Sequence, residues 1–202
     1  MKTIMRTFTL IIILLITFSC NKGKEIGGFY LTEDMKSQIP FKGLETISFI
    51  DSNGGIFIFS GGYRVTQEIE QTECNSCPDY YVFEEELINF NNGLDEIRLT
   101  IHATNESYLN IRFSIDGQVF GFGFFSPLSR DNLKYQEQFI DSITINNTVY
   151  TNVYKDTIYT KELMNNDQYP IYSYYSTEYG VLKIDFSDNS YWELNNIDWT
   201  EK

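Results

Sequence analysis

Apolar and polar residues alternate along most of this chain with a period of two, and a helical period is almost absent. The clearest alternation runs from Ser107 to Phe125, where Leu109, Ile111 and Phe113 take turns with polar or charged neighbours. Such alternation is typical of strands that have one face in the core and the other in solvent. The pattern therefore predicts a protein built from β-strands.

A hairpin is predicted in the middle of this stretch. Asp116-Gly117 is a strong signal for a two-residue turn. A turn there places Phe113 opposite Phe120 and Ile111 opposite Phe122, so the apolar residues of both strands share one face. A slip of one residue would expose the phenylalanines to water, which fixes the predicted register.

The other face of the predicted hairpin lacks two side chains. Gly121 is expected opposite Arg112, and Gly123 opposite Asn110, which leaves a shallow gap beside an arginine. A ligand or another backbone can approach closely at such a gap; the alternative, which the glycines favour, is a bend or bulge in a strongly twisted sheet. The candidate binding residues are Tyr108, Arg112, Gly121 and Gly123.

Turn signals divide the rest of the chain into further short strands. Asn53-Gly54 joins two segments that are apolar on both faces, which predicts a central hairpin, and Asn146-Asn147 joins another pair. Hydrophobic residues make up 42% of the chain, enough for a real core. Short strands at regular spacing predict an all-β fold, an antiparallel meander that forms a sandwich or a partly open barrel.

The N-terminus does not follow the strand pattern. Lys2 and Arg6 precede an apolar run from Phe8 to Phe18, which is shorter than the roughly 20 residues that span a bilayer. A positive start, a short apolar run and a small residue before the break are typical of a secretory signal. Ser19 is that small residue, and Cys20 follows it.

The junction "LLITFSCNKGK" resembles the signal of bacterial lipoproteins, in which the cysteine after the cleavage site is lipidated. The resemblance implies a signal peptide over residues 1–19, acyl chains such as palmitate on Cys20, and a tether over 20–28. Thr17 and Phe18 depart from the usual leucine and small residue. The alternative is an ordinary signal peptide that leaves Cys20 as a free thiol. Residues 29–202 are predicted to form one β-rich domain, with 127–134 as an alternative boundary.

The last third of the chain is similar to the C-terminal part of uncharacterised lipoproteins from Bacteroidetes, flavobacteria in particular. The segments that carry the similarity are "ITINNTVYTNVY" and "YYSTEYGVLKIDFSDNSYWEL". The resemblance implies an outer-membrane lipoprotein and brings no catalytic residue. Asp141-Ser142-Ile143 and Asp156-Thr157-Ile158 resemble the O-glycosylation sequence of that group, which implies glycans on Ser142 and Thr157. No acidic cluster follows Cys20, which favours the periplasmic side.

Charge and the remaining motifs narrow the function. A net charge of −13 argues against nucleic acid as a partner. Cys74 and Cys77 form a Cys-x-x-Cys motif, but Pro78 disfavours the helix that a redox site of this type needs. In an oxidising compartment they are predicted to form a structural disulfide, with a metal or redox role as the alternative. The single histidine, His102, is expected on an exposed strand face, and the sequence predicts no cofactor and no metal site.

Three functions remain open. The first is non-catalytic binding of a glycan, a lipid or a protein partner by a protein that its lipid anchor holds to the membrane. The second is a carboxylate-dependent glycoside hydrolase, which needs two acids facing each other in a cleft. The third is a structural subunit of an envelope complex, for which a long bare sheet edge would be evidence.

Overall fold

A computed structural model describes residues 23–72, 79–103, 108–115, 117–125, 139–157 and 168–200 of the chain. Almost all regular structure in these residues is β-strand. The strands of the first half are β1 (Glu25–Phe29), β2 (Thr46–Asp51), β3 (Ile56–Gly61), β4 (Val65–Thr72), β5 (Tyr80–Asn91) and β6 (Glu96–His102). Those of the second half are β7 (Tyr108–Ile115), β8 (Gln118–Phe125), β9 (Phe139–Ile145), β10 (Thr148–Thr157), β11 (Pro170–Ser176), β12 (Gly180–Phe186) and β13 (Tyr191–Asp198).

The helix of the described residues, α1 (Glu33–Lys36), is a single turn. Thr32 caps it, because its hydroxyl accepts a hydrogen bond from the Met35 N–H at 3.2 Å. Acidic residues occupy its first turn and Lys36 its last, which suits the helix dipole. Lys36 also forms an ion pair with Glu84 at 3.1 Å, which fixes the turn against β5.

The chain divides into two compact units. The smaller comprises Met1–Gly28 and Glu70–Val82, and its described part contains most of β1 and the beginning of β5. Two hydrogen bonds connect these two segments: the Tyr80 N–H donates to the Lys24 carbonyl, and the Lys24 N–H donates to the Asp79 carboxylate, each at 3.1 Å.

The larger unit comprises Phe29–Ile69 and Phe83–Lys202. Its strands follow the antiparallel order β8-β7-β6-β5-β3-β2-β13-β12-β11-β10-β9, and β4 pairs separately with β5. The path is not closed. This confirms the predicted all-β fold and is consistent with either a sandwich or a partly open barrel. The alternative boundary at 127–134 lies outside the described residues.

Turn chemistry sets the local registers. Phe113 pairs with Phe120 and Ile111 with Phe122, which confirms the predicted hairpin of β7 and β8. β2 and β3 form the predicted central hairpin, with Gly54 at φ 85° in its loop. Asn146 and Asn147 connect β9 to β10, each with the positive φ that a tight hairpin turn favours.

One hydrophobic cluster fills the larger unit. It joins Phe113 and Phe122 of the β7–β8 hairpin to Phe49 of β2 and to Leu182 and Ile184 of β12. All five side chains have at most 1% of their surface exposed. Because residues far apart in sequence share this cluster, neither half of the path has a separate core.

The two ends of the strand path approach each other within the larger unit. The Gly123 N–H at the outer edge of β8 donates to the Asp156 carboxylate of β10 at 2.9 Å. Asp156 is buried, with 5% of its surface exposed. A buried carboxylate is stabilised by such a backbone donor, so the bond connects β8 to β10 within the larger unit.

Candidate functional site

A small cavity of about 120 Å³ lies on the polar face of β5, β6 and β7; we call it the β5–β7 pocket. Strand alternation puts its residues on one face while their neighbours enter the core. The register aligns Leu87, Thr100 and Asn110 across three strands, and Arg98 with Arg112 in the next row. Among the described residues, the lining consists of Gln67, Glu85, Leu87, Arg98, Thr100, His102, Asn110 and Arg112.

One side of the pocket holds a carboxylate whose two oxygens are both engaged. Glu85 Oε2 lies 2.8 Å from His102 Nδ1, and Glu85 Oε1 accepts a hydrogen bond from the Gln67 Nε2 amide at 2.7 Å. Glu85 is buried and His102 is half-buried. His102 was predicted to be an exposed strand residue, but this partner holds its imidazole against the pocket wall.

The two arginines of the pocket differ in their partners. Arg98 donates through Nε to the Asn89 amide oxygen at 2.8 Å and pairs with Glu96 at 3.1 Å, so its charge is balanced. Arg112 is exposed, and no carboxylate in the described part of the chain lies within ion-pair distance of it. Within the described residues, the guanidinium of Arg112 is therefore the one in the pocket that lacks a carboxylate partner.

Asn110 supplies a second unused group. Its amide oxygen Oδ1 is buried, and no donor among the described residues reaches it. A buried polar atom without a partner disfavours the folded state by about 1–3 kcal/mol. Because Asn110 itself is only half-buried, rotation of its side chain towards the pocket would let a ligand hydroxyl donate to this oxygen and remove the cost. Arg112 and Asn110 lie two residues apart on β7, so their side chains share one face.

The structure places the predicted binding residues as follows. Gly121 is the register partner of Arg112, and a Cβ atom added at Gly121 would have no atom within 4 Å. Gly123 pairs with Asn110 but is buried, and its N–H is bound to Asp156. Tyr108 is the register partner of His102, and its side chain lies outside the described part. The predicted gap beside Arg112 thus corresponds to open space.

The pocket also contains residues that the sequence did not single out. They are Gln67, Glu85, Leu87, Arg98 and Thr100. A signal existed for Arg98 and Thr100, because they alternate with apolar residues on β6. Nothing local marks Glu85 or Gln67, whose positions depend on the pairing of β4 and β6 with β5.

The other predicted sites are modification sites. Cys20, Cys74 and Cys77 lie outside the described residues. Ser142 is exposed on β9 opposite Thr151, and Thr157 is exposed at the end of β10. Both hydroxyl residues are thus on the surface, although Ser142 lies within a strand.

A second polar cluster covers the outer face of β10 to β13, where tyrosines are abundant. Lys155 Nζ lies 3.7 Å from the centre of the Tyr172 ring. Lys183 pairs with both Asp185 at 3.4 Å and Glu193 at 3.1 Å.

The phenol of Tyr174 completes this cluster by donating to Asp185 at 2.9 Å. Burial raises the pKa of Tyr174, and the bond to Asp185 raises it further, so the phenol remains a neutral donor. Both carboxylates of the cluster are already paired. It therefore offers a ligand fewer unused groups than the β5–β7 pocket.

In comparisons with known proteins, no family model, no curated protein and no solved structure matches the chain. In the part of the chain that the structure covers, no three His, Cys, Asp or Glu side chains are placed to hold a metal ion. Among the same residues, no helix has the length and apolar character to cross a membrane.

Proposed function

We propose that this protein is a lipid-anchored protein of the cell envelope that binds a glycan without catalysis. The observation that carries the proposal is the β5–β7 pocket, where Arg112 and the Asn110 amide oxygen both lack partners among the described residues. Sugars present many hydroxyl groups, and these suit a pocket lined by amide, hydroxyl and guanidinium groups.

The size and lining of the pocket favour a sugar over the other ligands. Ligand pockets for larger molecules have volumes of about 300–1,000 Å³. The β5–β7 pocket has about 120 Å³, which limits it to a single ring or a group of that size. Leu87 is the one large apolar residue among the described lining residues, and the other seven are polar or charged, which disfavours an acyl chain.

The chemistry of the pocket favours binding over hydrolysis. Glycoside hydrolysis by the usual route needs two carboxylates on opposite sides of the scissile bond. Among the described lining residues, Glu85 is the single carboxylate, and His102 and Gln67 occupy both of its oxygens. We expect the protein purified in detergent to bind sugars on a glycan array and to leave them uncleaved.

Gly121→Val tests whether the open space beside Arg112 belongs to the binding site. A Cβ added at Gly121 has no atom within 4 Å, and Gly121 has no positive φ, so we expect the strand to accept valine. We expect the free energy of unfolding to stay the same or rise by up to about 1 kcal/mol, because glycine weakens a strand interior. Calorimetric titration with an array hit should show at least tenfold weaker binding, equivalent to about 1.4 kcal/mol.

A matched change at Ser60 controls for surface effects. Ser60→Val also adds a β-branched side chain at an exposed strand position, on β3. It should leave sugar binding unchanged. Equal binding by wild type and Gly121→Val would place the glycan elsewhere on the protein.

The membrane anchor is tested at Cys20. The proposal rests on the lipoprotein-like signal at this residue, since two or more acyl chains anchor a protein stably whereas one binds marginally. We expect the wild type to incorporate labelled palmitate and to sediment with membranes. Cys20→Ser should abolish the label and leave the protein unanchored. Cys74→Ser/Cys77→Ser should keep both properties, and labelled Cys20→Ser would contradict the proposal.

A further inference from the structure

We propose that the sugar bound in the β5–β7 pocket is a hexuronate, whose carboxylate is held by Arg112 while a ring hydroxyl donates to Asn110 Oδ1. This inference rests on the proposed glycan binding and names its ligand class. It starts from three observations: Arg112 lacks a carboxylate partner among the described residues, the neighbouring Asn110 Oδ1 lacks a donor there, and open space lies opposite Arg112 at Gly121.

The lack of a carboxylate partner at Arg112, among the described residues, is unusual for this protein. The chain has a net charge of −13, so carboxylates are available to pair with its cations. The other arginines in the described residues do pair: Arg64 with Glu86, and Arg98 with Glu96. Arg112 differs from them in having no carboxylate partner in that part of the chain. An arginine in this condition suits an anionic ligand, because guanidinium binds a carboxylate through two parallel hydrogen bonds.

The acceptor beside Arg112 indicates that the ligand carries a hydrogen-bond donor as well as a negative charge. Asn110 Oδ1 accepts hydrogen bonds and lacks a donor among the described residues. A simple carboxylate such as acetate would satisfy Arg112 and leave Asn110 unpaired. A hexuronate carries a carboxylate and several hydroxyl donors on one ring, so a single ligand satisfies both groups.

The surrounding residues fit the same ligand. Thr100 and His102 add polar groups to the lining, and both oxygens of Glu85 are already in contact with His102 and Gln67, so the guanidinium of Arg112 remains the group for a ligand carboxylate. The space opposite Arg112 at Gly121 lets the guanidinium meet a carboxylate from the solvent side. The polar lining and small volume select a ring rather than a chain of apolar groups.

Calorimetric titration with paired sugars tests the inference. The acidic probes are D-glucuronate, D-galacturonate, D-mannuronate and L-guluronate, each compared with its neutral hexose. We expect at least one hexuronate to bind at least tenfold more tightly than its hexose. Sodium acetate and sodium sulfate, at the same ionic strength, should bind more weakly than that hexuronate.

Two variants assign the contacts. Arg112→Gln should remove the preference for the hexuronate over its hexose, and the variant should fold normally because Arg112 is exposed. Asn110→Leu removes an unpaired acceptor, so we expect unchanged or higher stability together with at least fivefold weaker hexuronate binding. Lys42→Gln, which removes an exposed positive charge elsewhere, should change neither.

The outcomes separate this inference from the proposed function. If a hexuronate and its hexose bind with equal affinity, and Arg112→Gln changes neither affinity, the inference is overturned while glycan binding stands. Acetate or sulfate binding as tightly as the best hexuronate would overturn the inference in favour of a plain anion site. Binding of none of the sugars, acidic or neutral, would overturn both the inference and the sugar pocket.

Discussion

Replacing Arg64 with methionine is expected to lower the free energy of unfolding by about 3–5 kcal/mol, because it leaves a buried charge without its partner. Arg64 forms an ion pair with Glu86, in which Arg64 Nε lies 2.7 Å from Oε1 and Arg64 Nη2 donates a hydrogen bond to Oε2 at 2.8 Å. Glu86 has only 7% of its surface exposed. Arg64 Nη1 also donates to the carbonyls of Ile39 at 3.0 Å and Phe41 at 2.8 Å.

Two control variants distinguish the effect of removing an arginine from the effect of leaving the Glu86 carboxylate buried without a partner. Arg98→Met breaks a pair with Glu96 in which both side chains are about 40% exposed, and such pairs contribute about 0–1 kcal/mol. Arg64→Met/Glu86→Leu removes both buried charges and should recover much of the loss. Urea unfolding followed by circular dichroism measures all three. A loss for Arg64→Met no larger than that for Arg98→Met would contradict the prediction.

The effect is expected to be large because Arg64 also donates to carbonyls of an irregular backbone segment that has few other hydrogen bonds. Residues 37–45 form almost no sheet hydrogen bonds, so side chains must satisfy their buried polar groups. Tyr175 of β11 donates to the Gln38 carbonyl at 2.6 Å. Complete burial raises the pKa of Tyr175, so it stays a neutral donor. Glu45 accepts from the Lys42 and Gly43 N–H groups at 2.8 and 2.7 Å.

The sequence predicts the parts of this fold that depend on neighbours along the chain. The β7–β8 hairpin follows from its alternation and turn, so the position of Gly121 beside Arg112 was predictable. The pairing of β2 with β13 joins strands from opposite ends of the domain, and no local pattern specifies it.

The same limit explains which site residues were missed. Glu85 meets His102 only through the register of β5 with β6 and meets Gln67 only through β4. Glu85 is buried only because those neighbouring strands cover it. From the sequence alone, it belongs to a run of three glutamates that is expected to be solvent-exposed. Arg64 likewise contacts groups 22 to 28 positions away in the chain.

Gly180→Ala is expected to lower the free energy of unfolding by about 2–5 kcal/mol, the sum of a backbone term and an overpacking term. Gly180 begins β12 with φ 76°, a conformation that disfavours any side chain. The added methyl group would also overlap the ring of Phe41. That ring has 1% of its surface exposed and packs against Phe90 and Trp199, so it has little room to move.

Gly54→Ala isolates the backbone term, because Gly54 has a similar φ of 85° and an added methyl group there meets no atom within 4 Å. It should lower the free energy of unfolding by about 1–2 kcal/mol. The excess loss in Gly180→Ala is then the clash with Phe41. If the clash is responsible, Phe41→Leu should be better tolerated in the Gly180→Ala background than in the wild type, since the smaller side chain relieves the overlap. Equal losses of unfolding free energy at the two glycines would contradict this prediction, as would purely additive effects of Gly180→Ala and Phe41→Leu. Either result would mean that the Phe41 ring moves aside for the methyl group at little cost.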